Sequence, residues 1–310
     1  MRVLLTGGGG YIGSVLVGHL LRKAHMVTVL DNLLYGVHGL YQYCAERSFD
    51  FVRGDVRDEG LMRSLIADKD IILPLAALVG MPACVRDPIY ATTTNCEAIA
   101  LMNRLRSREQ RVIYPCTNSG YGTKTGDVYC TEETPLEPIS IYGKTKVDAE
   151  KLLLDSPNAV SLRLATVFGV SPRMRLDLLV NDFTYRAVKD RFLVLYEKDF
   201  KRNYLHIEDV ARAFCHVIEN FEAMKGEAYN VGLDDANLSK EELALKIKEY
   251  VPELYIHAAE VASDPDKRNY IVSNTKIARH GFVATHSLDE GIQELLKGYR
   301  MMGREAHKNA

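Results

Sequence analysis

No surplus of charge marks this sequence of 310 residues: 39 basic side chains against 41 acidic ones leave a net charge of −2, which supplies no electrostatic footprint for nucleic acid or an anionic membrane. No run approaches the roughly 18 apolar residues of a membrane span. No charged leader or cleavage-site pattern precedes the first apolar run at residues 3–5. The six cysteines (Cys44, Cys84, Cys96, Cys116, Cys130 and Cys215) never fall into C-x-x-C spacing, and the nine histidines form no ligand pair with them, so neither a disulfide framework nor a zinc site is read. Internal repeats and low-complexity linkers are missing too. These absences predict a reduced, cytoplasmic, metal-free protein whose cysteines serve as small buried apolar residues. The length suits one large domain or two closely joined ones.

What is present starts at residue 6. The run TGGGGYIG, residues 6–13, sits behind the apolar Val3-Leu4-Leu5 and ahead of a helical apolar pattern over 12–21, which reads as strand, glycine turn, helix. Glycines admit φ > 0 and close backbone approach, so a pyrophosphate can lie on the free N–H groups and positive end of the following helix. Gly8, Gly10 and Gly13 fit the G-x-G-x-x-G dinucleotide pattern, while Gly7, Gly10 and Gly13 fit a G-x-x-G-x-x-G variant; the loop alone leaves both open. A second strand over 26–30 ends on Asp31. An acid at that strand tip accepts hydrogen bonds from adenosine ribose hydroxyls and repels a 2′-phosphate. With no arginine or lysine at Asn32, Leu33 or Leu34, the pattern points to NAD rather than NADP.

The same rhythm continues. A third strand over 49–53 leads through Gly54-Asp55-Val56 to a helix over 59–66, where Asp55 reads as helix cap or adenine contact, with capping favoured by the spacing. A fourth strand over 70–75 runs into Ala76-Ala77, small enough for a cofactor to pass close, and residues 92–106 have helical spacing with Asn95 near their start. A fifth strand over 111–115 runs into Cys116-Thr117-Asn118-Ser119. Ligands of parallel sheets bind beyond the carboxyl ends of the strands, so Thr117 faces a crevice, either as a reactive hydroxyl or as a turn residue bonding its own backbone. Next comes a helix over 141–154 with Tyr142 and Lys146 on one face. A tyrosine needs a nearby cation to act as a base near neutrality. Tyr185 and Lys189 repeat that spacing in an amphipathic stretch over 178–189, without a preceding strand and hydroxyl loop, and read as packing or surface. After a sixth strand over 159–164 the pattern is less regular, with Pro172 and several arginines. Arg202 precedes a helix over 208–220, Lys267 and Arg268 precede Tyr270-Ile271-Val272, a last helix covers 288–299, and the tail 303–310 reads as frayed. The planar fork of arginine suits bidentate phosphate contact. Strands alternating with helices predict an α/β fold with a doubly wound parallel sheet.

In this order and at these intervals the residues resemble the extended short-chain dehydrogenase/reductase family, in its nucleotide-sugar epimerase and dehydratase branch, to about residue 300. The matching elements are TGGGGYIG, Asp31, Gly54-Asp55-Val56, Ala76-Ala77, Asn95, Thr117, Tyr142-x-x-x-Lys146, Arg163, Arg202 before His206-Ile207-Glu208-Asp209, and Arg268. The resemblance implies a Rossmann-type domain over 1–170, with 204–222 returning to it, and a smaller nucleotide-sugar domain over 171–310. It places NAD on Gly7, Gly10, Tyr11, Ile12 and Gly13, then Asp31 and Asn32, Asp55 and Val56, Ala76 and Ala77, Asn95 and Lys146. Gly8 and Gly9 become incidental under this spacing. Tyr142 is implied as general base, Lys146 as the group that holds the nicotinamide ribose and lowers the tyrosine pKa, and Thr117 as hydrogen-bond partner of the reacting oxygen. Asn118, Ser119 and Thr166 are implied near the sugar, and Arg202 and Arg268 on its diphosphate. A homodimer through the helices at 92–106 and 140–154 is implied as well.

Departures from the family narrow the chemistry. Its 4,6-dehydratases carry an Asp-Glu pair where this sequence has Asn118 and Ser119, and neither of these delivers a proton at neutral pH. Ser119 also stands where the decarboxylase branch has glutamate and the 3,5-epimerase and fucose-synthase branch has cysteine. Pro74 replaces a histidine and Thr166 an asparagine, and residues 79–84 are a candidate wall of the sugar pocket or a packing loop. The expected activity is an NAD-dependent nucleotide-sugar 4-epimerase acting through a transient 4-keto sugar. The alternatives are a 4-dehydrogenase that releases the ketone, a 4-reductase, and a non-catalytic NAD-binding sensor.

Overall fold

The computed structural model describes residues 1–36, 39–124, 129–259 and 268–302. Seven strands form one parallel sheet. From edge to edge they are Ala228–Val231, Ala159–Leu164, Arg111–Thr117, Ile71–Pro74, Arg2–Thr6, Met26–Asp31 and Phe49–Arg53. The central strands are unbroken apolar runs, buried at every position of Ile71–Pro74 and at all but the first of Arg2–Thr6, as expected where helices cover both faces. Side chains alternate across the sheet. Val3 and Leu5 pack on the side of the helices Tyr11–Arg22 and Ile207–Glu219, while Leu4 packs with Met62 and Ile66 of Glu59–Ile66, Ile99 and Met102 of Ala98–Leu105, and Ala149 and Leu153 of Ile141–Leu154.

The strand order reverses between Arg2–Thr6 and Ile71–Pro74, so the connections leave in opposite directions and a crevice opens at the carboxyl ends. The seventh strand, Ala228–Val231, lies beyond the 204–222 return read from the sequence and completes the sheet beside Ala159–Leu164. Residues 166–168, 201–206 and 237–239 form a separate three-stranded sheet. Three helices, Leu179–Lys189, Lys240–Tyr250 and Leu288–Met301, pack together on that side. One apolar cluster runs from Leu16 and Val210 through Phe168 to Leu243 and Leu295, so the two halves share a core.

Two elements differ from the sequence reading for identifiable reasons. The helix expected over 92–106 starts earlier, at Pro88–Thr92, because the Asp87 side chain caps it by accepting the Tyr90 N–H and proline suits its first turn. It then passes through a π-turn at Thr93–Glu97 before Ala98–Leu105, a feature frequent at functional positions. Lys240–Tyr250 carries an S-x-x-E start that the reading passed over: Ser239 and Glu242 form a capping box. Residues 264–267 and the tail 303–310 lie outside the described residues. No described helix is long and apolar enough to cross a membrane. All six cysteines are free, four of them buried, with Cys96 half-buried and Cys44 exposed.

Candidate active site

A single cleft runs along the carboxyl ends of the strands. Its first end is made by backbone. Gly7 has φ +72°, and a Cβ there would come 2.6 Å from the Ala76 nitrogen; one on Gly13 would come 2.5 Å from the Gly7 carbonyl. Only glycine fits either place, which selects the Gly7–Gly10–Gly13 spacing. Gly8 and Gly9 are not incidental, however. A Cβ on Gly8 would come 2.7 Å from the Val29 side chain, and the Gly9 N–H donates to Asp31 Oδ2 at 2.8 Å. Asp31 Oδ1 accepts the Leu33 N–H at 2.7 Å, so the carboxylate is fixed at the strand tip and keeps lone pairs for ribose hydroxyls.

Asp55 lines the cleft and does not cap the next helix. Asp58 does so, accepting the Leu61 N–H at 3.0 Å. The Arg57 side chain grips both Asp55 oxygens, at 2.9 and 2.7 Å, and these bonds hold the carboxyl below its usual range. The same guanidinium stacks 4.5 Å over Tyr90, whose hydroxyl accepts the Asn32 amide at 2.9 Å. Tyr11 and Ile12 contribute to the wall, but the Tyr11 hydroxyl turns away and donates to the Gly169 carbonyl at 2.8 Å. Glycine turn, helix N-terminus, Asp31, Val56 and the small Ala76 and Ala77 share one wall. This donor and acceptor set fits a dinucleotide with a free ribose diol.

At the other end the working groups are side chains. Thr117, Ser119, Tyr142, Lys146, Thr166 and Arg268 all line the cleft. Thr117 shows the turn reading made of it while lining the cleft: its Oγ1 accepts the Ser119 N–H at 3.1 Å, capping a short turn, and its hydroxyl lies 2.9 Å from Ser119 Oγ. Arg268 Nη1 donates to the same Ser119 oxygen. Lys146, 4% exposed, sets its ammonium 4.0 Å over the Tyr114 ring, and burial pulls its pKa down to about 8. Tyr142 moves the other way from the sequence expectation. Burial pushes it up to about 12, against the pull of Arg175 and Arg268. Removal from water thus outweighs the nearby cations in the protein alone.

The helix carrying Tyr142 and Lys146 is fixed at both ends. Ser140 caps it, accepting the Gly143 N–H at 3.0 Å. One turn beyond Lys146, Glu150 is buried and accepts from Arg163 Nε and Nη2 at 3.0 and 2.8 Å and from Ser161 Oγ at 2.5 Å. This ties the helix to the strand Ala159–Leu164.

Three expected site residues do not face the cleft. Asn95 is buried in the π-turn and clasps the backbone of Leu78, accepting its N–H at 2.8 Å and donating to its carbonyl at 2.9 Å. Asn118 is fully buried, with neither amide atom partnered by another described atom. Arg202 is 3% exposed and lies 5.6 Å from the centre of the Tyr270 ring, which lines the cleft where Arg202 does not. The sequence reading missed cleft residues in turn. Arg175, held by Asp177 through Nε at 3.1 Å and Nη2 at 2.5 Å, lies beside Tyr142, and Arg173 stacks 4.1 Å over Tyr35. Their signal was the run of arginines after Pro172, whose direction depends on Asn181 holding the Arg175 carbonyl at 2.9 Å. Residues 79–81 do form wall, with Gly80 at φ +88°, while Cys84 packs below and donates to the Leu78 carbonyl at 3.3 Å.

Comparison with known proteins gives consistent results. The model of the NAD dependent epimerase/dehydratase family matches residues 3–232. The low-salt glycan biosynthesis protein Agl12 of Haloferax volcanii is 31% identical, covering 96% of this chain and 98% of its own. The dTDP-glucose 4,6-dehydratase DesIV of Streptomyces venezuelae, solved with NAD bound, superposes with a TM-score of 0.85 at 26% identity, covering 97% of each chain. The UDP-glucose 4-epimerase of Thermotoga maritima, solved with UDP-glucose, superposes equally well at 0.85 and 25% identity, covering 97% of this chain and 99% of its own.

Proposed function

Because the chain belongs to the NAD-dependent epimerase/dehydratase family, as an extended short-chain dehydrogenase/reductase acting with NAD at C4 of a nucleotide sugar, we propose that its reaction is 4-epimerisation. The observation that carries this reading is the distribution of carboxylates. Among the described residues that line the cleft, the only acids are Asp31 and Asp55, both at the glycine-loop end. Asp177 stands near the other end with its carboxylate engaged by Arg175. Elimination of water needs a proton donor and a base beside the sugar, and Asn118 and Ser119 supply neither.

In this reading Asp31 holds the adenosine ribose, the turn at Gly7–Gly13 receives the pyrophosphate, and Lys146 holds the nicotinamide ribose. NAD held there would supply the hydride acceptor and donor, and the cleft would have to let the 4-keto sugar turn over between oxidation and reduction so that its opposite face is presented. Tyr142 Oη takes the proton of the 4-hydroxyl and gives one back on reduction, which requires its pKa to fall from the value set by burial. The positive charges of Lys146, Arg175 and Arg268 act in that direction. Residues 1–170, with the return at 204–222 and the strand Ala228–Val231, would hold the cofactor, and 171–310 the nucleotide sugar. A homodimer through 92–106 and 140–154 belongs to the same proposal. The exposed residues of the second helix are Lys144, Asp148 and Lys151, so contact there would be polar, and solution mass measures it.

The test is incubation of pure protein with a panel of UDP- and dTDP-sugars. An epimeric sugar formed without added cofactor supports the proposal. Stoichiometric keto sugar with NADH left on the protein would replace it by the 4-dehydrogenase reading.

A further inference from the structure

Two loops from distant parts of the chain meet at the rim of the cleft, and each is anchored on a group that fits the dinucleotide. The first leaves the strand Met26–Asp31. Asp31 Oδ1 accepts the Leu33 N–H at 2.7 Å and holds Leu33 at φ +60°, and the Gly36 N–H donates to the Leu33 carbonyl at 3.0 Å. A positive φ is costly for leucine. The Asp31 carboxylate thus maintains a turn that brings Tyr35 and Gly36 back to the cleft, which both line. The second loop is the turn at 171–173. Ser171 Oγ donates to the Tyr11 carbonyl at 2.8 Å and accepts the Arg173 N–H at 3.3 Å, which pins this turn to the first residue of the helix behind the glycine loop. Where the loops meet, the Arg173 guanidinium stands 4.1 Å from the centre of the Tyr35 ring. Tyr35 is 43% exposed and Arg173 9%, so the ring covers the cation at the rim. Burial and the charge of Arg175 pull the Arg173 pKa down, while Tyr35, Asp177 and Asp31 push it up, which places the guanidinium between the sugar end and the ribose end.

We propose that the Arg173–Tyr35 contact is a clasp that retains NAD(H) in the cleft, so that NADH made by oxidation is still present for reduction. This rests on the C4 redox reading above. A 4-epimerase passes through a state holding a ketone and NADH, and loss of either leaves an oxidised sugar instead of an epimer. The clasp joins the cofactor-side loop to the segment that carries Arg175 to the sugar end. Both of its arms are built on groups that fit the cofactor, Asp31 and the start of the helix behind the glycine turn. It opens and closes by a contact between two side chains, a guanidinium on an aromatic face, with no bond made or broken in the substrate. Its effect therefore falls on release rather than on the chemical step.

The experiment loads the protein with NADH and follows its release by fluorescence in excess NAD, for Tyr35→Ala, Tyr35→Phe, Arg173→Met and the combined Tyr35→Ala and Arg173→Met protein, with melting temperature checked for each. Loss of one cation–π contact corresponds to about a 3- to 30-fold change. Tyr35→Ala and Arg173→Met are each expected to speed release by that factor. Tyr35→Phe keeps the ring face and is expected to stay within about twofold of the parent, and the combined protein within about twofold of the faster single variant, because both changes remove the same contact. Release within about twofold of the parent in either Tyr35→Ala or Arg173→Met overturns the clasp, as does a combined effect equal to the product of the two. Binding of UDP to the NAD-loaded protein separates the two diphosphates: a loss in Arg173→Met larger than its change in NADH release assigns Arg173 to the substrate and also overturns the clasp. Parent protein that holds NADH and shows these shifts, yet epimerises no sugar of the panel, overturns the functional reading and leaves the clasp standing.

Discussion

At the glycine-loop end of the cleft the working groups are main-chain N–H groups and the Asp31 carboxylate, drawn from one strand–turn–helix–strand unit at residues 2–31, with Asp55 added from beyond the next strand. At the reacting end they are side chains from five separate segments: Thr117 and Ser119, Tyr142 and Lys146, Thr166, Arg175, and Arg268. The first end is fixed by what has no room to change. A Cβ on Gly7 or Gly13 meets backbone, which cannot rotate aside. The second is fixed by long-range hydrogen bonds and ion pairs, so it is adjustable, and it is where one family can hold several reactions on one fold.

The comparison predicts that damage at one end leaves the other working. The largest effect belongs to Tyr142→Phe: loss of a general base lowers kcat by roughly 10²–10⁴-fold, while NAD binding, measured by calorimetry, stays within a few-fold of the parent. Loss of NAD binding as well would mean the two ends are not separable. Next comes Glu150→Ala, which strands the buried Arg163 without its partner. Breaking a buried pair in this way costs about 3–5 kcal/mol, read as a lower urea midpoint, and any surviving protein should lose kcat through a loosened catalytic helix.

Lys146 gives a pH test with a definite sign. Its pKa is about 8 in the folded chain against 10.5 for an ordinary lysine. Between those values the unfolded chain binds more protons, so stability rises with pH across that window. The gain is at most about 3 kcal/mol, and the Lys146→Met protein should lack it when the two urea midpoints are compared from pH 8 upward. Gly13→Ala acts at the other end. Overpacking against the Gly7 carbonyl costs roughly 1–3 kcal/mol and should weaken NAD binding, with the ratio of epimerised to oxidised sugar unchanged in the protein that still holds cofactor. Smallest of all is Lys189→Met. This lysine is exposed on the helix whose Tyr185 packs edge-on to Tyr299 at 5.4 Å, and stability should stay within about 0.5 kcal/mol with turnover intact.

The same contrast explains what could be read from the sequence. The glycine turn, Asp31 and the parallel strands depend on neighbours close in the chain, and the residues there announce their geometry. Thr117, Tyr142 and Lys146 were found because a strand end and a helix face each place them locally. Asn95, Asn118 and Arg202 have suitable chemistry and motif positions, but which way they point depends on Leu78, on the core beneath the turn, and on Tyr270. Arg175 reaches Tyr142 only because Asp177 and Asn181 hold its loop. Spacing along the chain carries no trace of such partners. Nor did it reveal the pKa of Tyr142, which is set by removal from water more than by the lysine four residues away.

The strand Ala228–Val231 has a meaning in time as well as in space. A chain emerging from its amino end completes the first six strands of the sheet by Leu164, then passes through residues 165–227 before the seventh is made. Until then the edge of Ala159–Leu164 has no partner, and an open strand edge invites pairing with other chains. A chain stopped before residue 228 leaves that edge open for good, and is expected to yield insoluble product rather than a free-standing cofactor domain.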